Sequence, residues 1–220
     1  MGKLLNIITK NHIKTKRDYL PRMINEKVNC MNIAREYGKD FWDGDRKYGY
    51  GGYIYDSRWE KVAKKLIKKY KLPDTAKILD VGCGKGFLLY ELKKLLPDAS
   101  IAGFDISQYA IQNAKPEIRE HLFVYNASDP YPFGDKSYDF IFSLTTLHNL
   151  QVYNLKTALE EIERVGKNKF IVVESYRNAQ ELFNLQCWAL TCESYYQPQE
   201  WIWLFNEFGY LGDYEFIYFE

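Results

Sequence analysis

Apolar runs of strand length alternate with stretches of helical periodicity along most of the chain. Strands are expected at residues 78–81, 101–104, 121–125, 138–143, 169–173 and 214–219. Helices are expected at residues 23–37, 57–70, 88–96, 107–114, 154–164, 179–191 and 199–208. Strands that alternate with helices at this pitch predict an α/β fold with a doubly wound, mostly parallel, Rossmann-like sheet.

The pattern divides one domain into two parts. Residues 57–220 hold all of the predicted strands and end in an aromatic-rich cap. Residues 1–56 are predicted to form a helical and loop extension that covers the site, and residues 1–22 are predicted to be a basic, weakly structured leader. Residues 41–59 combine Gly, Tyr and charged residues. Such a loop is either a binding loop or a rigid aromatic cover, and the sequence leaves both interpretations open.

Three alternating glycines follow the first predicted strand, in Lys77-Ile-Leu-Asp-Val-Gly-Cys-Gly-Lys-Gly-Phe87. Glycine lets main-chain N–H groups approach a ligand closely, because it has no Cβ and accepts positive φ. The dinucleotide fingerprint G-x-G-x-x-G requires its third glycine at the position that Phe87 occupies. This spacing argues against a nicotinamide-dependent oxidoreductase, which is an alternative interpretation of the same sheet.

Polar residues follow the predicted strands, and the carboxyl ends of parallel strands meet at one edge of a sheet. These residues are Asp80, Asp105, Asn126, Ser143 to His148, and Glu174. Asp105 comes 23 positions after Gly82, where a carboxylate can accept hydrogen bonds from both hydroxyls of a ribose. The sequence therefore predicts a nucleoside-binding site at this edge.

The ordered set of motifs over roughly residues 57–175 resembles the cofactor shell of class I S-adenosylmethionine-dependent methyltransferases. The resemblance implies S-adenosylmethionine as cofactor and S-adenosylhomocysteine as product. It places Asp105 on the ribose, Ile106, Asn126 and Ala127 around the adenine, and the glycine loop under the methionine end. Asn126 departs from the family, which usually has Asp there. The cofactor-binding residues expected on this basis are Asp80, Gly82, Cys83, Gly84, Gly86, Asp105, Ile106, Asn126, Ala127, Ser143 and Leu144.

Two residues after the fourth and fifth strands are candidate catalytic bases. A base is needed if the methyl acceptor is a hydroxyl or a protonated amine. His148 is the first candidate, because an unperturbed imidazole has a pKa near 6.5. Glu174 is the second, and its alternative role is as a helix cap or a partner of Arg177.

The sequence favours a small-molecule acceptor. Ser143-Leu-Thr-Thr146 stands where amide- or adenine-methylating enzymes carry [Asp/Asn]-Pro-Pro-[Tyr/Phe], and no metal-binding cluster is evident. The candidate substrate-binding residues are Tyr50, Tyr53, Arg58, Tyr176 and Arg177. The two arginines are chosen because a guanidinium binds anionic groups through paired hydrogen bonds, and ordinary surface ion pairs are the alternative.

Two short patterns, Tyr50-Gly-Gly-Tyr53 and Glu174-Ser-Tyr-Arg-Asn178, resemble methyltransferases of bacterial surface-carbohydrate pathways. This resemblance implies a sugar nucleotide or a phosphoramidate precursor of a capsule polysaccharide as the acceptor. A non-catalytic, cofactor-binding partner subunit is a further alternative.

Composition adds limits to these interpretations. The 220 residues carry a net charge of +1, so no overall field attracts the chain to nucleic acid or to a membrane. The four cysteines lack metal-ligand spacing, and reduced thiols fit a cytoplasmic protein. Aromatic residues make up 17% of the chain, and those of the C-terminal segment suggest a homodimer contact as one hypothesis.

Overall fold

The computed structural model describes residues 2–9, 12 and 17–220. Residues 1, 10, 11 and 13–16, which belong to the predicted leader and to the predicted 1–56 extension, lie outside the described residues. The described part of the chain forms a parallel sheet with helices on both faces and with short helices ahead of it.

The sheet of the described residues has the predicted architecture. Its strands are β1 (Lys77–Val81), β2 (Ser100–Asp105), β3 (Leu122–Val124), β4 (Tyr138–Leu144), β5 (Gly166–Glu174) and β6 (Asp213–Ile217). All are parallel, in the order β3-β2-β1-β4-β5-β6. The strand order reverses between β1 and β4, and a sheet of this kind opens a crevice at the carboxyl ends there. The prediction of a doubly wound Rossmann-like sheet is confirmed.

The helices occupy three regions of the chain. Before the sheet come α1 (Tyr19–Ile24), α2 (Lys27–Ala34) and α3 (Lys39–Asp43), followed by a 3-10 turn at Arg46–Tyr48. The sheet helices are α4 (Glu60–Tyr70), α5 (Phe87–Leu95), α6 (Gln108–Gln112), α7 (Pro116–Arg119) and α8 (Val152–Val165), with a 3-10 turn at Leu147–Asn149. The C-terminal helices are α9 (Ala179–Trp188) and α10 (Pro198–Glu207).

The prediction of one helix over residues 23–37 is wrong. Two helices, α1 and α2, occupy this region, because Glu26 between them takes a left-handed backbone conformation with φ of 48°. Lys27 at the start of α2 donates hydrogen bonds to the carbonyls of Cys187 and Ala189, at 2.8 and 2.5 Å. These carbonyls stand at the end of α9, so a contact distant in sequence fixes the direction of α2.

Alternate residues of the central strands supply two apolar cores. Phe140 and Phe142 of β4 pack on one face of the sheet with Leu66 of α4. Ile141 packs on the other face with Leu159 of α8 and Trp201 of α10. Parallel strands covered on both faces are apolar at almost every position, which explains the continuous runs of the sequence.

The described N-terminal residues are ordered against β6. Leu5 N–H donates to the Tyr214 carbonyl at 2.8 Å. The buried Glu215 carboxylate accepts hydrogen bonds from the N–H groups of Ile7, Ile8 and Thr9, at 2.8, 2.8 and 2.6 Å. For residues 2–9 the prediction of a weakly structured leader is therefore wrong. Their backbone N–H groups form hydrogen bonds with the edge strand β6, and the sequence pattern does not predict such contacts.

Candidate active site

A cavity of about 310 Å³ lies at the carboxyl ends of β1, β2 and β4, where the strand order reverses. Its lining includes all of the cofactor-binding residues expected from the sequence except Gly86 and Ser143. Most of the remaining lining comes from residues 37–59 on one side and from residues 145–154 on the other, and the rest neighbours the expected residues in the chain. The structure thus gathers residues from five separate segments of the chain around one space.

The glycine loop after β1 forms the floor of the cavity. Gly82 and Gly84 have positive φ of 76° and 54°. A Cβ on Gly82 would lie 2.2 Å from the Thr146 hydroxyl, and one on Gly84 would lie 2.7 Å from the Trp42 ring. Glycine is therefore required at both positions by backbone conformation and by close packing.

Asp105 holds the glycine loop and can still accept hydrogen bonds from a ligand. Its carboxylate accepts hydrogen bonds from the Gly84 and Ser107 N–H groups, each at 2.8 Å. Burial raises the pKa of Asp105 despite these two hydrogen bonds, which favour the ionised form. A carboxylate has about four lone-pair sites, so about two are left to accept hydroxyl groups. This arrangement fits a ribose.

Asp80 gives the cavity a second carboxyl group. Burial and the neighbouring charge of Asp105 raise its pKa well above the usual range. Among the described residues, the cavity lining includes no lysine, arginine or histidine. A ligand cation would favour ionised Asp80, because an opposite charge stabilises the charged form. This charge pattern fits the sulfonium and ammonium groups of S-adenosylmethionine and disfavours the diphosphate of a dinucleotide.

Ile106, Asn126 and Ala127, which are predicted to surround the adenine, line the cavity. Ile106 is 53% exposed, as a side chain that stands in an open part of the cavity would be. The Asn126 side-chain oxygen already accepts hydrogen bonds from Ser128 N–H and O–H, at 3.1 and 2.9 Å. The amide NH₂ of Asn126 is therefore the group with more capacity for a ligand.

Gly86 and Ser143 lie outside the cavity lining and have packing contacts. Gly86 precedes α5, and a Cβ there would lie 2.7 Å from Ile118. The buried Ser143 hydroxyl donates to the Val81 carbonyl at 2.8 Å and so joins β4 to β1. Their predicted role in cofactor binding stays a prediction.

The segment after β4 contributes further polar groups to the lining. Thr145, which belongs to the predicted run Ser143 to His148, lines the cavity together with Asn149 and Asn154, which the sequence analysis missed. Thr145 has φ of 55°, which is rare for a β-branched residue and is typical of functional sites. Helix α8 begins at Val152, before the predicted start, so Asn154 lies in its first turn and beside the cavity.

An aromatic roof, formed by Tyr37, Trp42, Tyr50 and Tyr53, closes the cavity on the side of residues 37–59. Trp42 stacks on Tyr50 with ring centroids 5.2 Å apart, and its indole N–H donates to the Ser107 hydroxyl at 2.8 Å. Residues 41–59 are thus both a packed cover and part of the cavity wall. Trp42 was missed as a site residue, although the run Phe41-Trp42 marks the start of the aromatic loop.

A buried ion pair between Lys85 and Asp43 connects this roof to the glycine loop. Lys85 is only 5% exposed, and its ammonium group lies 2.7 Å from both carboxylate oxygens of Asp43. It also donates to the Tyr53 carbonyl at 3.0 Å, and Tyr109 donates to Asp43 at 2.9 Å. The pair therefore positions the roof over the cavity.

Replacing Asp43 with alanine should lower the free energy of unfolding by about 3–5 kcal/mol, because it leaves the buried Lys85 ammonium without its anion. Chemical denaturation measures this change. The double variant with Lys85→Met should recover part of the loss, since the unpaired charge is gone. A loss below about 1 kcal/mol for Asp43→Ala would contradict the role of the pair.

The buried His148 and the partly buried Glu174 form a pair outside the cavity lining. The His148 Nε2 lies 3.4 Å from a Glu174 carboxylate oxygen. Burial lowers the pKa of His148 to about 3 and raises that of Glu174 to about 7. The His148 Nδ1 accepts a hydrogen bond from the Glu174 N–H at 3.3 Å, so the ring proton belongs on Nε2. Imidazole in this arrangement has no free lone pair, which favours Glu174 over His148 as a base.

The predicted substrate residues separate into two groups. Tyr50 and Tyr53 line the cavity. Arg58 pairs with the exposed Asp56 at 2.6 Å, and the exposed Arg177 side chain pairs with the buried Glu181 and the exposed Glu220. Tyr176 is partly buried and packs against the apolar core on one face of the sheet. Substrate roles for Arg58, Tyr176 and Arg177 stay predictions that this placement does not favour.

Sheet topology, glycine loop and acidic cavity together define a Rossmann-like domain that binds a nucleoside cofactor. A family profile described as a methyltransferase domain matches residues 72–209, which is more than half of the chain. The chain therefore belongs to the methyltransferase domain family, and S-adenosylmethionine is its cofactor.

Individual relatives agree with this family. The demethylmenaquinone methyltransferase of Roseiflexus sp. (strain RS-1) is 34% identical over 114 residues, which cover 51% of this chain and 46% of that protein. The chain spans about half the length of the curated relatives that it matches.

Solved structures support the fold. One is the complex between the Haloferax volcanii Trm112 methyltransferase activator and a methyltransferase candidate, with a TM-score of 0.57, 21% identity and coverage of 89% of this chain and 77% of that one. Another is a SAM-dependent methyltransferase from Aquifex aeolicus, with a TM-score of 0.52, 24% identity and coverage of 70% and 83%.

Proposed function

We propose that the protein transfers a methyl group from S-adenosylmethionine to an oxygen or nitrogen of a small polar or anionic metabolite. The observation that carries this proposal is the acid-lined cavity under an aromatic roof. Asp105 would hold the ribose, Asn126 and Ala127 the adenine, and Asp80 with the glycine loop the methionine end. The roof confines the approach to the cavity, which favours a small acceptor over a folded polymer.

Glu174 is the proposed base. The bound cofactor supplies an electrophilic methyl group on a sulfonium, whose departure needs no proton. The acceptor hydroxyl or ammonium must lose a proton, and a base with a pKa near 7 suits that task. Glu174 pairs with His148, and the residue after His148, Asn149, lines the cavity. Burial raises the pKa of Tyr50 in the cavity wall, and the charge of Glu174 adds to that shift.

A sugar nucleotide or a phosphoramidate precursor of a surface polysaccharide is the specific acceptor we propose, on the strength of the Tyr50–Tyr53 and Glu174–Asn178 patterns. We also propose that the protein acts in the cytoplasm, where such precursors are made. Among the described residues, every helix is too short or too polar to cross a membrane.

The second candidate function is that of a cofactor-binding subunit that needs a protein partner for activity. It is proposed because one structural neighbour was solved in a complex with a methyltransferase activator. In that case the isolated chain would bind the cofactor without turning over, and the complex would be active.

Methyl-labelled S-adenosylmethionine tests the proposal when it is incubated with the purified chain and with neutral and phosphorylated sugars and nucleotide sugars. We expect label in at least one acceptor, and none with the Asp105→Ala variant. Cofactor binding without transfer to any acceptor, restored by a co-purified partner, would favour the second candidate. Absence of cofactor binding would contradict both.

A further inference from the structure

A second pocket of about 340 Å³ is lined by residues from 17–30, by Arg46 and Lys47 of the 3-10 turn, and by Trp188 at the end of α9. We call it the arginine pocket. Its charged lining residues are Arg17, Arg22, Arg46, Lys47 and Asp18, and Trp188 lies among them. The guanidinium carbons of Arg17, Arg22 and Arg46 lie 5.2, 4.4 and 4.8 Å from the centroid of the Trp188 ring. Three guanidinium groups thus converge on one indole.

Two of these arginines have no carboxylate partner among the described residues. Neither Arg22 nor Arg46 takes part in an ion pair with any of the described residues, whereas Arg35, Arg58, Arg164 and Arg177 do. Arg22 and Arg46 instead donate to carbonyls of the loop between them and the cavity, such as that of Gly49, at 3.4 and 2.6 Å. The buried Nε of Arg22 has no hydrogen-bond partner among the described residues.

Like charges brought together in this way are unfavourable without a counter-ion. Burial and the charge of Arg46 lower the pKa of Arg22 to about 10, and burial also lowers the pKa values of Arg17 and Arg46. An anion in the pocket would offset this repulsion and would satisfy the free Nε–H of Arg22.

The arginine pocket adjoins the proposed methyl-transfer site. Arg22 and Arg46 donate to the Gly49 carbonyl, at 3.4 and 2.6 Å. The next residue, Tyr50, lines the cofactor cavity. The backbone at Gly49 and Tyr50 therefore connects the arginine pocket to the cavity wall.

We propose that the arginine pocket binds a phosphate or other multiply charged oxyanion group of the methyl acceptor, with the reacting end of the acceptor directed toward Tyr50 and Glu174. This inference rests on the proposed function for the acceptor, whereas anion binding itself does not need the methyl-transfer reaction. The arginine pocket is thus proposed as the binding site of the anionic group in place of Arg58 and Arg177, which already have carboxylate partners.

Isothermal titration of the full chain with inorganic pyrophosphate, at constant ionic strength, tests the pocket without using activity. We expect saturable binding to the wild type. Arg46→Gln should weaken binding at least tenfold, because it removes a charge-assisted hydrogen-bond donor. Arg22→Lys keeps the charge but not the planar fork, and should weaken binding at least threefold. The matched control is Arg35→Gln, which removes the same charge from the same extension but from an arginine paired with Glu193 at 2.7 Å.

Citrate in place of pyrophosphate distinguishes carboxylate from phosphate acceptors: tighter binding of citrate would assign the pocket to a polycarboxylate. Absence of saturable binding of both anions, or equal loss in Arg46→Gln and Arg35→Gln, would overturn the inference. If S-adenosylmethionine still binds in that case, the proposed function stands. If pyrophosphate binds in the arginine pocket but S-adenosylmethionine does not bind, the proposed function fails instead.

Discussion

Replacing Asp105 with alanine should raise the dissociation constant for S-adenosylmethionine by at least about 100-fold. The variant loses the acceptor of two ribose hydroxyl groups, and hydrogen bonds to a charged group contribute about 1.5–3 kcal/mol each. It also frees the Gly84 N–H, which Asp105 holds at 2.8 Å, so the glycine loop loses a constraint. Isothermal titration measures the change.

The exposed Asp98 provides a matched control, because Asp98→Ala removes the same charge at the surface of the same domain. The control should bind the cofactor as the wild type does. An affinity of Asp105→Ala within twofold of the wild type would show that Asp105 does not bind the ribose.

Replacing Glu174 with glutamine should lower kcat by about 10²–10⁴-fold, which is the usual contribution of a positioned base. The pH profile identifies the group. Because burial raises the pKa of Glu174 to about 7, the wild-type rate should rise about tenfold per pH unit below 7 and level off above it. The residual rate of the variant should lack this inflection. The control is Glu160→Gln, at an exposed position on α8.

Stability separates a catalytic loss from a folding defect. The folded pKa of Glu174 is raised above its unfolded value of 4.5, so wild-type stability should fall as the pH rises through about 7. The difference in the free energy of unfolding between the wild type and Glu174→Gln isolates this contribution, because the titration of His148, whose unfolded pKa is 6.5, is common to both proteins. This difference should fall between about pH 4.5 and 7 and level off above pH 7. A variant that keeps wild-type kcat and the same pH inflection would contradict the role of Glu174.

The cofactor side of the site was predictable because its residues follow a regular pattern. Parallel strands bring their carboxyl ends together, so residues such as Asp80 and Asp105 had to converge once the strands were identified. The spacing to Phe87 also excluded the dinucleotide fingerprint. That exclusion agrees with the cavity, whose charged lining residues, among those described, are the two aspartates alone.

The proposed acceptor side was less predictable because it depends on contacts between distant segments. Lys85 pairs with Asp43, which is 42 residues away in the sequence. The hydrophobic periodicity around either residue does not predict this contact. Arg22 and Arg46 converge on Trp188 from opposite ends of the chain. Arg177 was the exception, because Glu181 stands one helical turn later and an ion pair at that spacing could have been expected.

Direct titration of the wild-type chain with S-adenosylmethionine, S-adenosylhomocysteine and NAD tests the central claim, which is that the acidic cavity holds a methyl donor. We predict saturable binding of the first two in a one-to-one ratio, competition between them, and no binding of NAD. Saturable binding of NAD without binding of S-adenosylmethionine would contradict the account.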